Sequence, residues 1–206
     1  MELDEQTVDT TEFPNVQQYE NILLVGEKHR NKQSGELVKR ICNQENPAAV
    51  AVEHGPYYNL SWWMLTTKFG GLYFLEAYAK YNDIPLFNID VQDDMFRKAI
   101  RKELSEDIDY TEAVEIANEF TKPVTEDGKV HEQCILDARE RVKQQLGKTV
   151  YNIIYDFREE HMAKQLTWIN EEFEETVVVG VGAFHTLSVY KKLKHCKDAI
   201  PPHGYS

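Results

Sequence analysis

Two segments far apart in the chain share one design. Residues 21–30 read Asn-Ile-Leu-Leu-Val-Gly-Glu-Lys-His-Arg, and residues 176–185 read Thr-Val-Val-Val-Gly-Val-Gly-Ala-Phe-His. Each is a continuous apolar run that ends in glycine, and each carries a G-x-x-H unit, Gly26 to His29 and Gly182 to His185. Unbroken apolar runs of this length mark strands buried on both faces of a parallel sheet. Polar groups just beyond such strands stand at the carboxyl edge, where open α/β sheets bind their ligands. The doubled unit therefore predicts two histidines converging on one pocket.

The rest of the chain extends this pattern. A polar lead-in over 1–17 precedes a single α/β domain over 18–206. Strands are expected at 21–25, 48–52, 84–89 and 176–181. Between them lie amphipathic helices at 34–44, with Leu37, Val38 and Ile41 on one face, and at 72–81, with Leu75, Tyr78 and Ala79. The Asn46-Pro47 step ends the first helix. From about 93 to 173 nearly everything reads as amphipathic helix, broken around 123–128, with a last helix over 150–173 that keeps Val150, Ile153, Ile154 and Phe157 on one side. A closing helix is expected at 186–195. Strands alternating with helices give a mostly parallel central sheet with flanking helices. The helical block is too long for one crossover, which makes it a helix-rich inserted lobe over the carboxyl edge. All four expected strands then deliver acids or histidines to that edge: Glu27 and His29, Glu53 and His54, Asp90, and His185.

Composition narrows the partners. The formal charge of −12 argues against a nucleic-acid backbone or an anionic membrane surface. No run approaches the roughly 20 apolar residues that span a bilayer. Three cysteines without metal-type spacing point to a reducing compartment, and the acidic start, MELDEQ, is unlike a signal or transit peptide. A cytoplasmic protein is expected, with a peptide or small-molecule substrate. The oligomeric state stays open, a homodimer included.

Several ordered blocks resemble one family. They are Gly26-Glu27-Lys28-His29, Val50-Ala51-Val52-Glu53, the run from Ile84 to Asp90 with 93–97 behind it, the run from Asp156 to Ala163, and the run from Val178 to His185. In this order they resemble the TraB/PrgY family, which includes the TIKI proteins, and more distantly the haem-iron-binding ChaN and erythromycin-esterase folds. The resemblance implies a metal-dependent hydrolase, with a peptidase the expected activity. It carries that family's functional residues to His29, His185, Glu53 and Arg158.

The residue chemistry can be weighed beside that resemblance. Neutral imidazoles and a carboxylate form a three-ligand site for a divalent transition metal, Mn, Co or Zn, so His29, His185 and Glu53 are the expected ligands. Glu53 and Glu27 are the candidate acid–base pair, one binding metal while the other takes a proton. Equally, either glutamate would serve by satisfying helix-end amides. Arg158 either steadies negative charge in a transition state or forms a structural ion pair with Asp90 or Glu53. His54 stands as a supporting group, and Tyr57, Tyr58, Trp62 and Trp63 as packing or a substrate wall. Two rival functions fit the same residues. One is a metal-independent, esterase-like hydrolase in which Glu53 activates His29 as base. The other is a protein that captures a peptide or haem-like ligand without chemistry.

Overall fold

The computed structural model describes residues 16–27, 32–53, 70–91 and 132–202, together with Lys98, Lys102 and Ile116. His29, His54, the aromatic stretch 57–64 and the acids Asp93 and Asp94 lie outside the described residues.

Five strands form one sheet in the order β1-β2-β5-β3-β4. They are β1 (Val16–Tyr19), β2 (Ile22–Glu27), β3 (Ala49–Val52), β4 (Leu86–Asn88) and β5 (Val177–Gly182). The four strands expected from sequence all occur and pair in parallel, with β5 at the centre between β2 and β3. β1 is an addition. It folds back antiparallel on β2 through a tight turn in which Glu20 has φ 50°. Its polar Gln17 and Gln18 hide it from any search for apolar runs, because an edge strand leaves part of its surface to solvent.

The sheet alternates its side chains between two helical layers, as the two-residue period of a strand requires. Leu23, Val25, Val50, Val52 and Val178 face α1 (Lys32–Glu45) and α2 (Gly71–Asn82). Ile22, Leu24, Ala49, Ala51, Val177, Val179 and Val181 face α4 (Arg158–Glu172) and α5 (Ala183–Leu193). β2 and β5 are buried along their whole length, which explains their unbroken apolar sequences. Gly180 lets α2 approach closely, since a Cβ there would stand 2.7 Å from both Leu72 and Leu75.

α3 (Glu132–Tyr151) is kinked at Gly147 (φ 78°) and leads into a π-helical stretch, Asn152–Phe157, before α4 begins. This stretch corrects the expected apolar face of the last helix. The wider π turn rotates the register, leaving Phe157 44% exposed and turning Arg158 and Glu159 inward together. α4 also departs from the expected inserted block. Its Met162, Leu166 and Ile169 belong to the main core against the sheet. Among the described residues no helix is long and apolar enough to cross a membrane.

Candidate functional site

Register explains why distant residues meet. β2 and β5 run in step until Glu27 lies opposite Gly182. Glu53 follows β3 directly and donates its amide to the Gly180 carbonyl, while Ile89 donates to the Val52 carbonyl. Glu27, Glu53, Asp90 and the start of α5 are thereby all delivered to the carboxyl edge of the sheet.

The two glutamates part there. Glu27 keeps the parity of Leu23 and Val25, and its Oε2 accepts the Leu72 amide of α2 at 3.0 Å. Glu53 keeps the parity of Ala49 and Ala51 and turns to the opposite face, where its Oε2 accepts the Gly182 amide at the head of α5. The expected crowding of the two carboxylates in one pocket is not what the fold builds. Each serves a helix N-terminus, where backbone donors and the helix dipole favour negative charge.

Around Glu53 stands a buried ionic cluster. Arg158 reaches Glu53 Oε1 through Nη2 at 2.8 Å, and clasps Asp90 through Nε to Oδ1 at 3.0 Å and Nη2 to Oδ2 at 2.6 Å. Two carboxylates therefore share one guanidinium. On the other side, His185 places Nε2 3.6 Å from Glu53 Oε1. The expected bounds, a strand ending at 181 and a helix starting at 186, leave His185 in the loop between them, and the structure does not. His185 lies in the first turn of α5 and is only 6% exposed, because the helix begins at Ala183, directly after the strand.

The far nitrogen of that ring leads to a second cluster. His185 Nδ1 is 3.0 Å from Oε1 of Glu159, which is fully buried. Glu159 also takes Arg139 Nη2 at 2.9 Å and the Ser188 hydroxyl at 2.6 Å, with Lys192 Nζ at 3.8 Å. Burial opposes a charged Glu159, but the contacts with His185 and Arg139 outweigh it and hold its carboxyl below the usual range. Arg139 in turn donates to the Tyr151 hydroxyl at 2.9 Å and lies over the Tyr155 ring, 4.7 Å from its centroid. Tyr155 packs beside His185, and burial pushes its phenol up to about 12.

Glu159 and Arg139 are absent from the sequence-derived site, although both left a trace. Glu159 occupies an apolar-stripe position, one turn before Met162 and Ala163, and Arg139 does the same between Ile135 and Val142. A charged residue at a core position signals a buried partner, but sequence does not say which.

Among the described residues no group of three or more His, Cys, Asp or Glu side chains is placed to hold a metal ion. The expected third ligand, His29, lies outside the described residues. Two donors nevertheless fit. Ligands at about 2.0–2.2 Å in tetrahedral array stand about 3.3–3.6 Å apart, and His185 Nε2 and Glu53 Oε1 are separated by 3.6 Å. Compared with protein-family models and with curated proteins, the chain matches none.

Proposed function

We propose that this chain is a hydrolase of the TraB/PrgY type, acting on a peptide or small molecule with a divalent transition metal held by His185, Glu53 and His29. The observation that carries the reading is the pairing of His185 Nε2 with Glu53 Oε1, each fixed from behind by its own buried partners. Arg158 is shared between two carboxylates, which leaves the Glu53 end electronegative and favourable to a cation. When bound, an ion of the Mn, Co or Zn class supplies Lewis acidity toward a scissile carbonyl.

The chain's own residues divide the remaining work. Asp90 and Arg158 hold Glu53 in place, and the Arg158 guanidinium adds positive charge near developing negative charge. Glu27 stays at the cap of α2. A cavity of about 500 Å³ between α3 and α5, lined in part by Arg139, Tyr151, Phe184 and Ser188, adjoins the Arg139 side of the network, and its described lining includes neither His185 nor Glu53. Arg139 reaches Glu159 and the Phe184 carbonyl from α3, which supports a helix-rich lobe over the carboxyl edge that stops short of α4, whose apolar face belongs to the main core. The free cysteines Cys42, Cys134 and Cys196 accord with a reducing, cytoplasmic setting.

Elemental analysis of the untagged protein tests the reading. Near-stoichiometric Mn, Co or Zn is expected, and its loss in His185→Ala and in His29→Ala. Wild-type protein that takes up none of these metals when supplied with them overturns it. The contact between His185 Nδ1 and Glu159 also favours a second reading, a metal-independent hydrolase in which His185 is the base and Glu159 its orienting acid. Turnover of an activated ester by metal-free protein, abolished in His185→Ala, selects that reading.

A further inference from the structure

One imidazole stands between two buried carboxylates, and the two contacts differ. Nδ1 lies at hydrogen-bonding distance from Glu159, 3.0 Å, whereas Nε2 lies 3.6 Å from Glu53. The partners of Glu159 decide which nitrogen carries the proton. Arg139 Nη2 touches both of its oxygens, at 2.9 and 3.0 Å, and Ser188 and Lys192 approach Oε2. A carboxylate in an ion pair of this kind is an acceptor only. Nδ1 facing it must therefore donate, because two lone pairs would otherwise meet at 3.0 Å, a separation too short for a bridging water.

We propose that Glu159 is the positioning residue of this site: it accepts the Nδ1 proton of His185, fixes the ring orientation and the tautomer of the neutral ring, and so turns Nε2 toward Glu53. The usefulness of that nitrogen, as metal ligand or as base, rests on the function proposed above; the tautomer itself does not. The π-helical stretch is what makes the arrangement possible, since it turns Arg158 and Glu159 inward side by side. One residue then anchors Glu53 and the next anchors His185. Ser188 lies one turn after His185 on α5, so the same helix carries the oriented ring and a second donor to the acid that orients it.

A single substitution reverses the donor pattern. In Glu159→Gln the amide oxygen is best placed at the Oε2 position, where Arg139, Ser188 and Lys192 all offer protons. Its NH2 group then faces Nδ1, which must become the acceptor, and the ring proton moves to Nε2.

Ring-nitrogen NMR of the full chain, labelled with 15N-histidine, reads this directly at pH 8, before and after treatment with a chelator. The His185 signal is assigned by its loss in His185→Gln. Wild type is expected to show Nδ1 protonated and Nε2 unprotonated, and Glu159→Gln the opposite. A wild-type ring protonated at Nε2, or at both nitrogens, overturns the proposal, as does an unchanged tautomer in a folded Glu159→Gln. If that variant does not fold, the wild-type spectrum alone decides. Zinc titration separates this proposal from the function it serves. Wild type is expected to bind zinc about 10–100-fold more tightly than Glu159→Gln. No zinc binding together with the Nδ1–H tautomer refutes the metal reading and leaves the positioning role standing.

Discussion

Arg158 and Asp90 form a two-pronged ion pair across 68 positions of sequence, Nε to Oδ1 at 3.0 Å and Nη2 to Oδ2 at 2.6 Å. Burial works against the charged guanidinium, yet Asp90 and Glu53 outweigh it and raise its proton affinity further. Arg158→Ala leaves two buried carboxylates without their cation, so a loss of about 3–5 kcal/mol is expected. Arg158→Lys keeps a charge but not the planar fork, and a smaller loss of about 1.5–3 kcal/mol is expected. Urea unfolding measures both. An Ala variant within about 0.5 kcal/mol of wild type, as an ordinary surface change would be, removes the structural role.

Glu27 lies on the other face of the sheet and is expected to behave as a cap. Glu27→Gln retains an oxygen for the Leu72 amide and is expected to leave metal content unchanged. Glu27→Ala removes the acceptor and is expected to cost about 0.5–2 kcal/mol. Metal analysis beside a thermal melt checks this. A folded Glu27→Gln that takes up less metal than wild type would return Glu27 to the chemistry.

How much of this was legible in the sequence differs between backbone and site. The four parallel strands follow from local apolar runs, because a strand covered on both faces needs no polar residues. Their common carboxyl edge follows too, since each run stops at an acid or a glycine. β1 was hidden because Gln17 and Gln18 carry no such signal. The inward turn of Glu159 was only half legible: Met162 and Ala163, one turn on, place it on the buried face, but the stripe before it points to Phe157 instead, because the intervening π-helical stretch shifts the helical period. The separation of Glu27 from Glu53 was within reach, since the two-residue alternation in β2 and β3 sets it. It appears only once the helices covering each face are known.

Acid should weaken the fold partly through Glu159. Its folded carboxyl is held below the ordinary value of about 4.3, so the native state binds fewer protons than the unfolded chain between those two values. Stability then rises with pH across that window. The contribution is complete above the ordinary value and is lost as pH falls through the lowered one. Glu159→Gln removes the titration, so its stability deficit should be largest near neutrality and shrink in acid. Denaturation curves of both proteins from pH 7 to pH 3 test this, and a deficit that grows on acidification would contradict it.

His185 tests the correction from loop to helix most directly. A loop histidine could be removed with little effect on stability, within about 0.5 kcal/mol for an exposed site. His185 is instead buried in the first turn of α5, packs beside Tyr155 and supplies a hydrogen bond to a carboxylate with no exposure of its own. Alanine there takes one donor from Glu159 and leaves a gap beside the Tyr155 ring. Arg139 and Ser188 remain on Glu159, so the charge is not stranded and the loss should stay below that of Arg158→Ala. About 1–3 kcal/mol is expected for His185→Ala. His185→Gln, whose amide can still donate toward Glu159, should recover part of it. Urea unfolding of the two variants in chelator excludes any contribution from bound metal. If both are as stable as wild type under those conditions, the hydrogen bond between His185 and Glu159 contributes nothing to the fold.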